Sequence, residues 1–516
     1  MRKFSSLMSG RVLTPLALAL WLAGCASAPA GAPERALPPL PAQFSSVPTV
    51  AATPPPASAE APAAVALATP EAATGSWTLA PAAEAQPRGA WWRPFMDPVL
   101  SDLVTRADLG NTRLQAAAAR LAEARALLGT AEAARHPQVG ANVGLQRQAG
   151  RGTLGGEQPS TTASLGLGAS YEVDVMGRLS LASQAAQQDA RAQAALLQST
   201  RLMVQADVAQ TYLQLRALQS EQALVDESLQ ALRDTLQLTT RRERAGDVAE
   251  LDLARVRAEV ASTEAESLAL QRQQALLTHA LAVLVGEVAT GFSLPAPSAD
   301  ISLPVVPPGV PGTVLARRPD VAAAQAAVLA AQARVGVAQA AWFPAVTLTG
   351  AAGQASPELS DLFKWSARAW SVGALMSLPL WDGGRRESLQ QGAQARLDAA
   401  LAAYRGQVLT AFGEVEDQLR SLQLLAAQSE AQARAVASAQ RATALSASRY
   451  RHGLVSQIEW LDARRAELRN RRAELQARTG QAVATVALVR ALGGGWDGDG
   501  QRPAGAQVSM APAARP

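Results

Sequence analysis

A chain of 516 residues that is 48% hydrophobic but only 4% aromatic could bury more than one core, yet it lacks the aromatic content of a conventional α/β enzyme interior; long Ala/Leu helices fit it better. One cysteine, Cys25, excludes an internal disulfide and a cysteine zinc site. The net charge of +4 comes from arginines dispersed among Asp and Glu, with lysine only at Lys3 and Lys364; these are solvated helix faces, not the clustered patch of a nucleic-acid binder.

The N-terminus carries Arg2, Lys3 and Arg11, an apolar stretch from Val12 to Ala23, and then Leu22-Ala23-Gly24-Cys25. The stretch is too short for a bilayer that needs about 20 residues, so residues 1–24 read as a cleaved lipoprotein signal, with a covalent lipid on Cys25 and no other cofactor. Ala26 stands where an aspartate commonly retains lipoproteins in the inner membrane, which favours the outer membrane. Residues 25–88 are rich in Ala and Pro with few large apolar groups, and read as a tether that cannot offset its own ordering entropy. Residues 496–516 read as a flexible tail.

Between these ends the chain is a duplication at an offset of about 207 residues. His136-Pro137 aligns with Phe343-Pro344, Gly177-Arg178 with Gly384-Arg385, and Gly246 with Gly453. The repeats are 89–295 and 296–495, each a helix, two strands, a very long helix, a turn and a long returning helix. In the first repeat Val139, Ala141, Val143 and Leu145 alternate with polar or glycine positions, as do Leu165, Leu167, Ala169, Tyr171 and Val173. Strands are expected at about 138–147, 164–174, 345–352 and 371–380, apolar outside and polar or small inside, as in a transmembrane β-barrel. Gly150–Ala163 and Gly353–Ala369, rich in Gly, Ser, Thr and Pro, read as exposed loops.

No proline falls between Pro159 and Pro295, or between Pro379 and Pro503, so nothing breaks long helices expected at 180–245 and 250–285, and again at 387–452 and 457–492. Helices of such length reach on the order of 100 Å. Gly246 and Gly453 supply the left-handed stop at each tip. Four strands cannot close a membrane barrel, and open edges in lipid leave backbone groups unpaired, so several chains must share one barrel. Three chains give twelve strands. The fold class is therefore mostly α with a membrane β part.

The run Trp91-Trp92-Arg93-Pro94-Phe95-Met96-Asp97-Pro98, the stretch Tyr171 to Arg178, Arg317-Arg318-Pro319-Asp320-Val321, Trp342-Phe343-Pro344, and Tyr450-Arg451-His452-Gly453 with Leu461-Asp462-Ala463 together resemble the TolC-like outer-membrane factors, the NodT/OprM-type efflux lipoproteins. The resemblance covers roughly residues 91–495. It implies a homotrimer whose shared twelve-stranded β-barrel in outer-membrane lipid continues into a periplasmic α-helical barrel, partnered by a periplasmic adaptor and an inner-membrane pump of the resistance-nodulation-division type, with passive transport and no catalysis. It also implies a gate or adaptor-docking surface at the hairpin tips: Gly246 and Asp247 on the first, Tyr450, Arg451, Gly453 and Val455 on the second. Tyr450 and Arg451 are expected to brace neighbouring helices. Val455 stands where many relatives carry an aspartate, so the constriction is either apolar or acidic through Asp247. The histidines His136, His279 and His452 lack metal-ligand spacing. A lipid-anchored periplasmic adaptor or other envelope protein is the competing reading, against which the duplicated strand pairs argue; an anchored enzyme would need a catalytic motif such as G-x-S-x-G, and none is present.

Overall fold

A computed structural model describes residues 89–151, 157–295, 304 and 317–494; Cys25, the tether and the C-terminal tail lie outside the described residues. The described elements are α1 (Pro98–Gly110), α2 (Thr112–Ala133), β1 (Gln138–Arg151), β2 (Glu157–Val173), α3 (Arg178–Arg244), α4 (Glu250–Val285), α5 (Pro319–Ala340), β3 (Ala345–Ser356), β4 (Arg368–Ser377), α6 (Arg385–Arg451) and α7 (Gln457–Ala491). The long helices α3 and α6 have 67 residues each.

Each long helix is started by the same device. Gly177 and Gly384 turn the chain at φ 72° and 86°. An aspartate just upstream then takes the free amides: Asp174 accepts from the backbone N–H groups of Leu179 and Ser180 at 2.9 and 2.7 Å, and Asp382 accepts from those of Gly384 and Arg386 at 3.2 and 3.3 Å.

The four strands form one antiparallel sheet in the order β1-β2-β3-β4, so the two repeats meet at β2 and β3, leaving β1 and β4 as edges. The register puts Val139 opposite Ala169, Leu167 opposite Ala352, and Leu348 opposite Ala374. Alternation along each strand then gathers Val143, Leu165, Leu348, Trp370, Val372 and Met376 on one face, where they are exposed. Asn142, Ser164, Ser170, Thr349 and Ser371 line the other. Gly166 faces Gly353 across the β2–β3 ladder; a Cβ on Gly353 would lie 2.5 Å from the Gly166 Cα, so only glycine permits that approach.

The strands outrun the lengths expected from side-chain alternation. β1 continues to Arg151 and β2 begins at Glu157, paired with it, so most of the stretch 150–163 expected as loop is ladder; residues 152–156 lie outside the described residues. Likewise β3 reaches Ser356, and two short 3-10 turns, Leu359–Asp361 and Trp365–Ala367, lead to β4. The backbone ladder needs no apolar side chains, so pairing persists after the apolar alternation has ended.

The main core lies against the middle of α3. Trp91, Phe95, Leu100, Leu103 and Val104 pack on Val204, Val208 and Leu215 of α3, with Leu281 and Val285 of α4 and Val486 and Val489 of α7. The N-terminal segment is fastened there by a buried polar set. Asp97 caps α1 through the Val99 and Leu100 amides, and its other oxygen accepts from the Tyr212 hydroxyl at 2.7 Å and from Arg216 at 3.2 Å. Burial, with the Asp97 carboxylate beside it, pushes the Tyr212 phenol up to about 12. A second cluster joins Val321 and Val328 of α5 to Leu397, Tyr404 and Val408 of α6. By length and hydropathy α5 could cross a membrane, but its valine face is buried in this cluster.

Candidate gate at the hairpin tips

Both tips are five-residue turns closed by the same backbone bonds. At the first, the Gly246 N–H donates to Glu243 O at 2.9 Å and the Asp247 N–H to Arg242 O at 2.8 Å; at the second, Gly453 donates to Tyr450 O at 3.0 Å and Leu454 to Arg449 O at 2.9 Å. This is the Schellman arrangement, and the glycine φ values of 79° and 71° supply the left-handed residue it requires.

The side chains differ. Around the first tip Arg241, Arg242 and Arg244 end α3 and Glu250 and Asp252 begin α4, each sign favourable at its helix end. Asp247 is exposed. The repeat places Leu454, which is 71% exposed, at the position of Asp247, so the two tips present an acid and an apolar group at one level. Val455 beside it is partly buried. Ser456 caps α7, accepting from the Glu459 N–H at 3.3 Å.

Tyr450, in the last turn of α6, stacks on Trp460 in the first turn of α7, with ring centroids 5.6 Å apart and planes 9° from parallel. Arg464 lies over the far ring, 6.0 Å from the Trp460 centroid. Tyr450 therefore braces the returning helix of its own hairpin. Arg451 makes its contact within α6, donating through Nε to Ala447 O at 3.4 Å, and the His452 ring lies 2.7 Å from Ser448 O. The two tips are tied just above the turns: Gln457 donates through Nε2 to Thr239 Oγ1 at 3.0 Å in a buried bond, beside a cluster of Leu232, Val256 and Leu461. Neither Trp460 nor the Gln457–Thr239 tie was expected from sequence. An aromatic residue in the helical turns on each side of a glycine stop was the available signal for Trp460; Gln457 and Thr239 are 218 residues apart and carried none.

A sheet with one apolar, exposed face and two long helical hairpins put the chain in the class of proteins that join a membrane-compatible β part to a helical body. The family model described as outer membrane efflux protein matches residues 103–287 and 310–494, two stretches displaced by the same offset that separates the tip glycines. The chain is 33% identical over 413 residues to outer membrane protein OprJ of Pseudomonas aeruginosa, covering 79% of this chain and 86% of OprJ. It is 30% identical over 491 residues to cation efflux system protein CusC of Escherichia coli, covering 95% of this chain and 100% of CusC. The solved structure of the outer-membrane channel OprN matches with a TM-score of 0.75 at 32% identity, covering 81% of this chain and 95% of OprN. The chain belongs to the outer membrane efflux protein family, the TolC-like outer-membrane factors, and its place is the outer membrane.

Proposed function

We propose that three copies of this chain form one passive exit duct, a twelve-stranded barrel in the outer membrane opening into a helical tunnel through the periplasm, and that the hairpin tips are both its gate and the surface met by a periplasmic adaptor and, through it, an inner-membrane pump. The observation that carries this reading is the sheet: one face is apolar and exposed while β1 and β4 have no partner on their outer sides among the described residues. Such edges are costly in lipid unless other copies pair with them. The polar and small residues of the opposite face, Asn142, Ser164, Ser170 and Thr349 among them, would line the aqueous side. Cys25 would carry the lipid that holds the N-terminus in the outer membrane, and transport would need no catalytic residue in this chain. The unlike pair Asp247 and Leu454 would make the resting constriction part acidic and part apolar.

The test is the mass of the purified protein in detergent together with single-channel recording in planar bilayers. Trimers with small, mostly closed currents support the duct; a non-conducting monomer would sink it and restore the anchored-adaptor reading.

A further inference from the structure

The two returning helices, α4 and α7, are joined by rungs with heptad spacing. Arg465 of α7 grips Glu259 of α4 through both ends of its guanidinium, the Nε bond being 2.9 Å. Seven residues on, Arg472 takes Glu266 of α4 and, through Nε at 2.7 Å, Glu221 of α3. In both rungs the partners lie 206 residues apart, so each joins nearly equivalent positions of the two repeats. One heptad further the facing positions are Gln273 and Thr479, which are uncharged, and from the Arg472 rung to that level α3, α4 and α7 line an open cavity of about 580 Å³ floored by Leu218, Leu270, Leu277 and Leu475. Arg472 is therefore the last rung before the packing opens. Its α3 partner Glu221 is only 8% exposed and Glu259 of the other rung 17%, while Glu266 is 36% exposed; a carboxylate withdrawn from water depends on its guanidinium.

We infer that Arg465 and Arg472 are positioning residues for the gate, holding the second hairpin against the first through α4 so that the tips rest in their closed arrangement. The inference depends on the reading of the tips as a gate. No tip residue takes part in the rungs, and the tips carry no cross-hairpin ion pair of comparable burial among the described residues. The restraint therefore acts through the helices, at a distance from the constriction.

The test uses the full-length protein in planar bilayers. Arg465→Glu sets two acids face to face at the half-exposed rung, and is expected to raise open probability by about fivefold or more, the usual lower range of a coupling between sites. The exchange Glu259→Arg with Arg465→Glu should return it to the wild-type value, a rescue that general destabilisation cannot give. Arg472→Gln should open the channel further if it folds, while Arg478→Ala, which breaks only a pair with Glu474 within α7, should change nothing. Asp247→Asn and Arg451→Ala are recorded beside them. If these tip variants alter the currents while Arg465→Glu does not, or if the exchange fails to restore closure, the positioning role is overturned and the gate stands. If neither set alters the currents, both readings fall.

Discussion

Asn111 and Arg318 stand at equivalent positions of the two repeats and make the same bond with different chemistry: Asn111 Nδ2 donates to Leu284 O at 2.7 Å, and Arg318 Nη1 donates to Ala491 O at 2.9 Å. Each ties the start of a short helix to the last turn of a returning one. Asn111 also caps α2, accepting from the Arg113 and Leu114 amides. Arg318, almost fully buried, instead gathers Asp320 and Glu414; burial works against its charge, and the two carboxylates overcome that and leave its pKa raised. Asn111→Ala should cost about 1–3 kcal/mol, a cap and a buried bond. Arg318→Ala should cost more, about 3 kcal/mol, by removing a buried guanidinium that joins Ala491 O to two partly exposed carboxylates. Unfolding of the purified protein in detergent should rank them in that order.

The glycines that end α4 and α7 have unequal room. Gly286 and Gly493 both sit at positive φ, 81° and 86°. A Cβ on Gly286 would lie 2.1 Å from Gly110 O, but one on Gly493 would lie 2.9 Å from Arg317 O. Both alanine variants carry the left-handed penalty of roughly 1–2 kcal/mol and both press the new Cβ on backbone, but far more tightly at Gly286, where the Gly110 carbonyl carbon would also lie 2.5 Å away. Its folded yield should fall well below that of Gly493→Ala, and equal yields would contradict the packing described.

Alkaline stability should report on Tyr212. Its folded pKa of about 12 exceeds the ordinary phenol value of 10.0, so the folded state keeps a proton that the unfolded chain has released. The contribution is complete below pH 10 and is lost as pH rises towards 12. Tyr212→Phe should lower thermal stability at neutral pH, because Asp97 loses a donor, and should show a shallower decline across pH 10–12 than wild type. Parallel melting curves would assign the decline to other groups.

The sheet predicts opposite responses from adjacent residues. Val372 lies on the apolar face and Ser371 on the polar one, so Val372→Arg should cost about 2–4 kcal/mol near mid-membrane and reduce assembly. Ser371→Arg should leave assembly intact. Folded, heat-modifiable protein recovered from outer membranes distinguishes them.

At the second tip, Trp460→Ala removes the surface on which Tyr450 stacks. The expected result is a change in channel closure with folding and assembly retained, because the ring pair lies within one hairpin. Currents identical to wild type would show that the stack takes no part in gating.

What the sequence made legible follows from which forces leave local marks. The long helices were visible because proline-free windows end at glycine, and the left-handed stop is a one-residue requirement; α3 occupies Arg178–Arg244 against an expected 180–245. The strand faces were visible because lipid or water selects every second side chain. The true strand ends were not, since the stretch from Gln146 to Arg151, Gln-Arg-Gln-Ala-Gly-Arg, lacks the apolar alternation yet stays in the ladder with β2. At the tips the glycines could be read and Tyr450 could be singled out, but its partner Trp460 depends on how two helices are phased across a turn. The Asp97–Tyr212–Arg216 set, joined over more than a hundred residues, left no trace in any local window.

The matched lengths of α3 and α6 bear on how such a chain can evolve. The two tips stay level only while both arms have the same number of residues. Deleting one heptad from α3 alone would withdraw its tip by roughly 10 Å and move Asp247 away from the level of Leu454. A change of length in one arm therefore keeps the tips level only where the other repeat changes by the same number of residues.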